Sequence, residues 1–164
     1  MPLIKEVARR SAERILAEHW DGTLPVDPAR IALTIGMRVF TADLDEDTSG
    51  LIVKESADAP AEIYLNRDEP PARQNFTCAH ELGHWVERDE QRDARYSFVD
   101  RRDASPNDAH EWFAEHFAGN LLMPASHFIA SFDEGLNDSQ LARRFAVSPA
   151  AVRTRIRGLR LRRE

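Results

Sequence analysis

The chain has 164 residues, of which 42% are hydrophobic and 30% are charged, enough to bury the core of one compact domain. No apolar run approaches the roughly 18 residues that a membrane-spanning helix requires, so the composition excludes a bilayer-spanning protein and predicts no membrane partner. The single cysteine cannot form an internal disulfide, and the first residues lack the apolar core of a secretion signal. We therefore expect a cytoplasmic protein.

The formal net charge of −6 is spread unevenly along the chain. Residues 139–164 contain eight arginines and one acidic residue, so the remainder of the chain is strongly acidic. A basic segment attached to an acidic body indicates either an anionic partner for the segment or a contact between the segment and the body.

The first part of the chain is predicted to form two helices and a small sheet. Apolar residues recur with helical spacing from Leu3 to His19. A second helix is predicted at 25–35, where Asp27 caps the first turn and Gly36 ends the helix. Residues that favour strands, separated by acidic or small-residue loops, then predict a small antiparallel three-stranded sheet with strands at 38–41, 50–54 and 61–66.

The second part of the chain is predicted to be helical apart from one long loop. A helix begins near Asp68, with two prolines in its first turn. Residues 88–107 are polar and carry both charge signs, so we expect a long surface loop there. The next helix ends at Leu122, and Pro124 opens a short helix that runs through Phe132.

The most specific local pattern is the stretch His80-Glu81-Leu82-Gly83-His84 in the helix that begins near Asp68. On a helix, His80 and His84 lie on one face, one turn apart, so both imidazoles can bind one metal ion. Glu81 follows the first histidine and can reach a water molecule on that metal. This arrangement is the known basis of the H-E-x-x-H pattern of zinc peptidases, so the pattern predicts a zinc site.

A catalytic zinc needs a third protein ligand, and Glu111 in the following helix is the best candidate. Glu111 shares one helical face with two small residues, Ala114 and Ala118. Together with Gly83 on the motif helix, these small residues would let the two helices approach closely, as a shared metal requires. Two histidines and one glutamate favour zinc, at one ion per chain, with manganese as the second option.

Glu115 lies one turn after Glu111 and is a candidate for contact with a metal-bound histidine. Its carboxylate could accept a hydrogen bond from the free ring N–H, which would fix the orientation of the imidazole. An ordinary salt bridge is an equally good interpretation of this residue.

Other residues near the pattern fit the ligand role less well. Glu87 and Glu90 occupy the positions of the glycine and the third histidine in the extended form of the pattern, which excludes that form. His110 and His116 lie off the predicted ligand face, which favours surface or core roles for them. Cys78 lies on the far side of the motif helix and is interpreted as a small buried residue.

The predicted residues together indicate one reaction type. A zinc ion lowers the pKa of its bound water to about 7 and polarises a carbonyl group. Glu81 would take the proton from that water as it attacks and deliver it to the leaving amine. The sequence therefore predicts hydrolysis of a peptide bond in a partner protein, without a covalent intermediate.

Two longer stretches resemble the ImmA/IrrE-type metallopeptidase family. Residues 73–84 match its R-x-x-F-T-x-A-H-E-x-x-H helix, and residues 111–124 match its later E-x-x-A-N-x-F-A-x-x-L-L-M-P helix, except that Glu115 replaces the asparagine. The resemblance extends over most of residues 25–157 and implies an α+β, zincin-like (gluzincin-type) fold. The zinc ligands that it implies are His80, His84 and Glu111, with Glu81 as the base.

The resemblance also implies a class of substrate. Members of the family cut helix-turn-helix repressors, which releases genes under stress or during mobile-element induction. It therefore implies a regulatory zinc metallo-endopeptidase that acts on such a repressor in transcription regulation and the stress response. The alternative is a non-catalytic transcriptional regulator, or a toxin–antitoxin-type binding protein, that uses the basic C-terminal segment.

Residues 139–156 resemble a helix-turn-helix, in which Ser148 caps the second helix and Pro149 begins it. The side chains then exposed for nucleic-acid or partner contacts are Arg153, Thr154 and Arg157. Two helices alone read DNA poorly, so we favour packing of this segment on the core over sequence-specific DNA binding. The predicted organisation is a zincin-like metallopeptidase domain at residues 1–132, followed by a helix-turn-helix-like segment at residues 133–164.

Overall fold

The computed structural model describes residues 2–90, 96–101 and 109–163, and these ranges form an α+β fold with seven helices and one four-stranded sheet. The helices are α1 (Pro2–His19), α2 (Pro28–Ile35), α3 (Pro71–Glu90), α4 (Ala109–Leu122), α5 (Ala125–Asp133), α6 (Asp138–Phe145) and α7 (Pro149–Gly158). The strands are β1 (Arg38–Ala42), β2 (Thr48–Lys54), β3 (Glu62–Asn66) and β4 (Tyr96–Arg101). None of the helices in the described ranges combines the length and the apolar character needed to cross a bilayer.

The predicted caps of α2 are confirmed, and the helix begins at Pro28, three residues after the predicted start at 25. The side chain of Asp27 accepts a hydrogen bond from the Arg30 backbone N–H at 3.1 Å, which satisfies one of the free donors of the first turn. Gly36 ends the helix in the left-handed conformation, with a φ of 97° that a residue with a Cβ atom adopts only with strain.

The sheet differs from the prediction of three antiparallel strands, because its order is β1-β3-β2-β4 and β1 runs parallel to β3. Strand β2 is antiparallel to both of its neighbours, β3 and β4. The connection from β1 to β2 therefore crosses the end of β3 instead of forming a hairpin. The buried Asn66 holds this crossing, since its side-chain amide donates to the Thr48 carbonyl at 2.8 Å and to the Asp45 carbonyl at 3.4 Å.

The prediction of a long loop at residues 88–107 is also wrong where the structure describes this segment. Helix α3 continues to Glu90, and residues 96–101 form β4, which pairs with β2. This strand contains the only apolar cluster of the segment, and tyrosine, phenylalanine and valine favour strands once a neighbouring strand is present. Residues 91–95 and 102–107 lie outside the described residues.

Helix α3 lies at the centre of the fold, between the sheet and α4. Its side chains join one buried cluster with Ile52 and Ile63 of the sheet on one side and Phe117 and Leu121 of α4 on the other. All four of these side chains are fully buried. The part of α3 that is enclosed on both sides carries the H-E-x-x-H stretch, so His80, Glu81 and His84 are all buried.

The C-terminal helices add to the same apolar cluster. The rings of Phe128 on α5 and Phe145 on α6 lie 5.3 Å apart, and Leu141 and Val152 are fully buried. Ser148 caps α7 as predicted, accepting a hydrogen bond from the backbone N–H of Ala151. The predicted division of the chain between residues 132 and 133 stays a prediction.

Candidate metal centre

Helices α3 and α4 bring three candidate ligand side chains to one point. The Nε2 atoms of His80 and His84 lie 3.1 Å apart. Glu111 Oε2 lies 3.2 Å from His80 Nε2, and Glu111 Oε1 lies 3.3 Å from His84 Nε2. Among the described residues, this is the one group of three or more potential metal ligands whose donor atoms converge.

These separations fit a zinc ion. Four ligand atoms placed tetrahedrally at about 2.0–2.2 Å from zinc lie roughly 3.3–3.6 Å from one another. The three observed separations agree with that value to within a few tenths of an ångström. When both imidazoles carry their proton on Nδ1, the lone pairs on His80 Nε2, His84 Nε2 and the Glu111 carboxylate face each other, and a cation between them relieves their repulsion.

A close contact between the two helices makes this convergence possible. A Cβ atom on Gly83 would lie 3.0 Å from Ala114 Cα and 3.1 Å from Phe117 Cδ1. These distances are tighter than ordinary van der Waals contact, so α3 and α4 approach as closely as their backbones allow. The close approach predicted from the small residues of this seam is confirmed.

Burial shapes the electrostatics of the three residues. The rings of His80 and His84 are almost entirely buried, whereas a quarter of the Glu111 side chain is exposed. Hydrogen bonds from His80 and then His84 hold the pKa of Glu111 far below its usual value. Burial lowers the pKa of His84, which favours the neutral imidazole that a metal requires.

Glu81 is fully buried on the side of α3 that faces the sheet. It lies beside Gly50 of β2, where a Cβ atom would come within 3.7 Å of Glu81 Oε1 and would overlap the Thr77 methyl group. The absence of a side chain at Gly50 therefore makes room for the Thr77 side chain, one helical turn before Glu81, and lets β2 lie in contact with this part of α3. Sequence reasoning missed this role, although a glycine inside a strand is a known sign of close approach.

Glu115 lies near His80 but outside hydrogen-bond range. Its Oε2 atom is 4.0 Å from His80 Nδ1, and 62% of the side chain is exposed. A modest rotation of an exposed side chain would close this gap, so the role of Glu115 in orienting His80 stays a prediction.

The structure adds one link that sequence reasoning did not foresee. His110 Nδ1 lies 2.8 Å from Glu87 Oε2, which joins the first turn of α4 to α3 one turn beyond His84. His110 therefore supports the seam from outside the three-residue group. Neither His116 nor Cys78 belongs to that group, and burial raises the pKa of the Cys78 thiol.

The three predicted contact residues of α7 lie apart from this group. Arg153, Thr154 and Arg157 are exposed, and Arg157 donates to the Thr154 hydroxyl at 3.1 Å. Arg155, between them, turns inward and donates to the Asn120 side chain of α4 at 2.8 Å. Burial lowers the pKa of Arg155 to about 10.

A sequence model of the family described as "Peptidase_M78: IrrE N-terminal-like domain" matches residues 32–157, which is most of the chain. The chain belongs to the Peptidase_M78 family. The matched range runs from α2 to α7, so the whole candidate metal centre of this Peptidase_M78 protein lies in the part that the family shares. The resemblance to the ImmA/IrrE family that was inferred from the two motifs is thereby confirmed.

A solved structure of a Mycobacterium tuberculosis transcriptional regulator is similar to this Peptidase_M78 chain, with a TM-score of 0.67 and 21% sequence identity. The similarity covers 91% of this chain and 46% of the regulator, so the chain spans about half the length of that protein. At this identity the similarity shows a shared fold. No curated protein sequence matches the chain.

Proposed function

We propose that this protein is a regulatory zinc-dependent metallo-endopeptidase that cuts one or a few partner proteins. The observation that supports the proposal most directly is the convergence of His80, His84 and Glu111 beside the buried carboxylate of Glu81. A purely structural metal site has no need of Glu81, because a fourth ligand and not a base would complete it. Membership of a peptidase family supports the same proposal.

Each of these residues then has a separate task. His80 and His84, through Nε2, and Glu111, through its carboxylate, would hold zinc at the seam of α3 and α4. Bound zinc supplies Lewis-acid activation of a water molecule and of the scissile carbonyl group. The Glu81 carboxylate accepts the proton as the water attacks, and returns it to the nitrogen of the leaving amine.

The position of Glu81 suits this task. The side chain is enclosed between α3 and β2, so it loses little conformational freedom when it accepts a proton. It follows His80 directly in the sequence and therefore lies on the adjoining face of the same helix. Both facts support a base that is held beside the metal ligands before the substrate arrives.

The substrate class that we propose is a helix-turn-helix transcriptional repressor. The family membership supports a role in regulation, and the resemblance of the two motifs supports this kind of substrate. Cleavage of such a repressor would release the genes that it blocks.

The Glu81→Gln variant tests the proposal, with a helix-turn-helix repressor that the wild-type protein cleaves as the substrate. We expect the purified wild-type protein and the variant each to bind about one zinc per chain, because three ligands remain in both. Cleavage by the variant should fall by roughly 10²–10⁴-fold, the usual contribution of a general base. Mass spectrometry of the products and elemental analysis of the protein measure both quantities.

The matched control is Glu62→Gln, which makes the same chemical change on β3, where Glu62 pairs with Arg38. This variant should cleave as the wild type does. If Glu81→Gln keeps full cleavage, the proposed base is wrong. If Glu81→Gln loses cleavage in the test tube but still regulates the genes in cells, the protein works by binding and the non-catalytic alternative is correct.

A further inference from the structure

The first turn of α4 carries one of the three candidate zinc ligands. Glu111 is the third residue of this helix, which begins at Ala109. The first turn is the least stable part of a helix, because its backbone N–H groups have no partners within the helix and the end frays. A metal site needs its ligands within about 0.5 Å of their working positions. Glu111 therefore depends on other contacts to hold this turn in place.

Two contacts with α3 hold α4 on either side of Glu111. On one side, Ala114 lies against Gly83, where the two helices approach closely. On the other side, His110 Nδ1 lies 2.8 Å from Glu87 Oε2. Glu111 therefore lies between two points at which α4 is fixed to α3, the helix that carries both histidine ligands.

The bond between His110 and Glu87 is a specific hydrogen bond and not a loose surface pair. An ionised carboxylate only accepts, so the ring proton that makes this bond is on His110 Nδ1. The two side chains are 32% and 14% exposed, which shields the bond from much of the solvent. Exposed ion pairs contribute little because water screens them, whereas a shielded bond to a charged acceptor keeps its geometry.

This bond adjoins the candidate ligands on both helices. Glu87 lies three residues after His84, so the two side chains are neighbours on the surface of α3. His110 directly precedes Glu111 on α4. A movement of the start of α4 away from α3 would therefore break the bond and displace the Glu111 carboxylate at the same time.

We propose that His110 and Glu87 are positioning residues for the metal centre: their bond keeps the Glu111 carboxylate at the distance from the two histidine ligands that zinc requires. This inference rests on the zinc site of the proposed function. The Glu111 oxygens lie 3.2 and 3.3 Å from the imidazole nitrogens. Ligands held in such an arrangement bind more tightly than ligands that must first be ordered, because less conformational entropy is lost on binding.

The test compares the zinc affinities of the full-length wild type and of His110→Leu, measured by competition with a chelator. Leucine removes the hydrogen bond, so zinc should bind about tenfold more weakly, at the lower end of the range for residues that support a metal ligand. Glu87→Leu removes the same bond from the other side and should show the same loss. His110→Asn is the conservative variant, because its side-chain N–H can still donate to Glu87. It should keep most of the wild-type affinity.

A double-mutant cycle with Glu111→Ala separates positioning from general support of the fold. If His110 acts through Glu111, His110→Leu should change zinc affinity by less than about twofold once residue 111 is alanine. A general loss of stability would instead weaken zinc binding by the same factor in both backgrounds. Thermal unfolding of the zinc-free proteins measures that general loss directly.

The matched control is His19→Leu, the same change at a histidine whose Nε2 lies 3.7 Å from Glu18 Oε2 at the end of α1. The His19 ring contacts Thr34 of α2, and this variant should bind zinc as the wild type does. Wild-type affinity in His110→Leu, or an equal loss with and without Glu111, would overturn this proposal and leave the zinc site standing. A wild type that binds no zinc would overturn both this proposal and the proposed function.

Discussion

The α3–α4 pair and the α6–α7 pair are both two helices packed together, yet they place their ionisable side chains in opposite positions. In the first pair, His80, His84 and Glu81 are buried in the seam or against the sheet. In the second pair, the seam is apolar around Leu141 and Val152, and most of the arginines lie outside it.

This difference shows what each pair can be used for. Burying ionisable groups between two helices costs free energy unless a partner stabilises them. Their presence between α3 and α4 therefore indicates a bound ligand that offsets this desolvation. Arginines on an outer face cost almost nothing and leave the fold unchanged, so they are available for a partner. The four predictions that follow test this contrast, beginning with the largest effect.

Glu111→Ala should have the largest effect of the four changes, because it removes one of the three candidate zinc ligands held by α3 and α4. Loss of one of three ligands should weaken zinc binding by more than about 100-fold, which exceeds the 10–100-fold expected for a residue that only supports a ligand. Added zinc should therefore raise the melting temperature of the wild type but not that of the variant. Glu115→Gln is the comparison, since its contact with His80 is longer and its effect should stay within that smaller range. Equal zinc affinity in Glu111→Ala and the wild type would contradict the three-ligand site.

Gly83→Ala should force the α3–α4 seam apart. The new methyl group would lie 3.0 Å from Ala114 Cα, and a backbone atom cannot move aside as a flexible side chain can. We expect the free energy of unfolding to fall by about 1–3 kcal/mol, and zinc affinity to fall with it. Gly119→Ala on α4 is the control, because nothing lies within 4 Å of its Cβ position. That variant should be more stable than the wild type by about 0.5–1 kcal/mol. Denaturant titration measures the free energy of unfolding of both variants, and an equal change in the two would contradict the prediction.

Asn120→Ala should destabilise the protein more than Arg155→Met does. Asn120 accepts from the partly buried Arg155, so its loss leaves a guanidinium without that acceptor, at a cost of about 1–3 kcal/mol. Replacing Arg155 by methionine removes the charge and keeps most of the volume, which should cost less. Thermal unfolding of the two single variants and the double variant measures the coupling. Additive effects would show that this hydrogen bond contributes little.

Arg153→Gln/Arg157→Gln should have the smallest effect on stability. Both side chains are exposed and form no ion pair within the described residues, so the free energy of unfolding should change by less than about 0.5 kcal/mol. Chemical denaturation measures this change. A loss above about 1 kcal/mol would mean that these arginines support the fold, and the contrast between the two helix pairs would disappear.

Local patterns made much of this structure predictable. The caps at Asp27, Gly36 and Ser148 and the spacing of His80 and His84 depend on residues within one or two helical turns. Glu111 could be chosen as the third candidate because small residues on two helices marked their shared seam. The order of the strands could not be predicted, since it depends on Asn66 and a connection that crosses β3.

The features of the candidate site that the sequence did not predict also depend on contacts between residues far apart in the chain. The hydrogen bond between His110 and Glu87 exists only because α4 begins beside the second half of α3. The space that Gly50 leaves for Thr77, one turn before Glu81, depends on how β2 lies across the helix. Charge patterns along residues 88–107 favoured a loop, and the pairing of β4 with β2 overrode them.

The contact between Phe128 and Phe145 has a practical consequence for experiments that assign activities to parts of this protein. Phe145 is fully buried, and it covers Phe128, which is fully buried as well. A shortened chain that ended at residue 132 would uncover this aromatic surface and would be prone to aggregate, whatever its zinc content. Substitution of single exposed residues, and not deletion of the C-terminal helices, is therefore the way to dissect this protein.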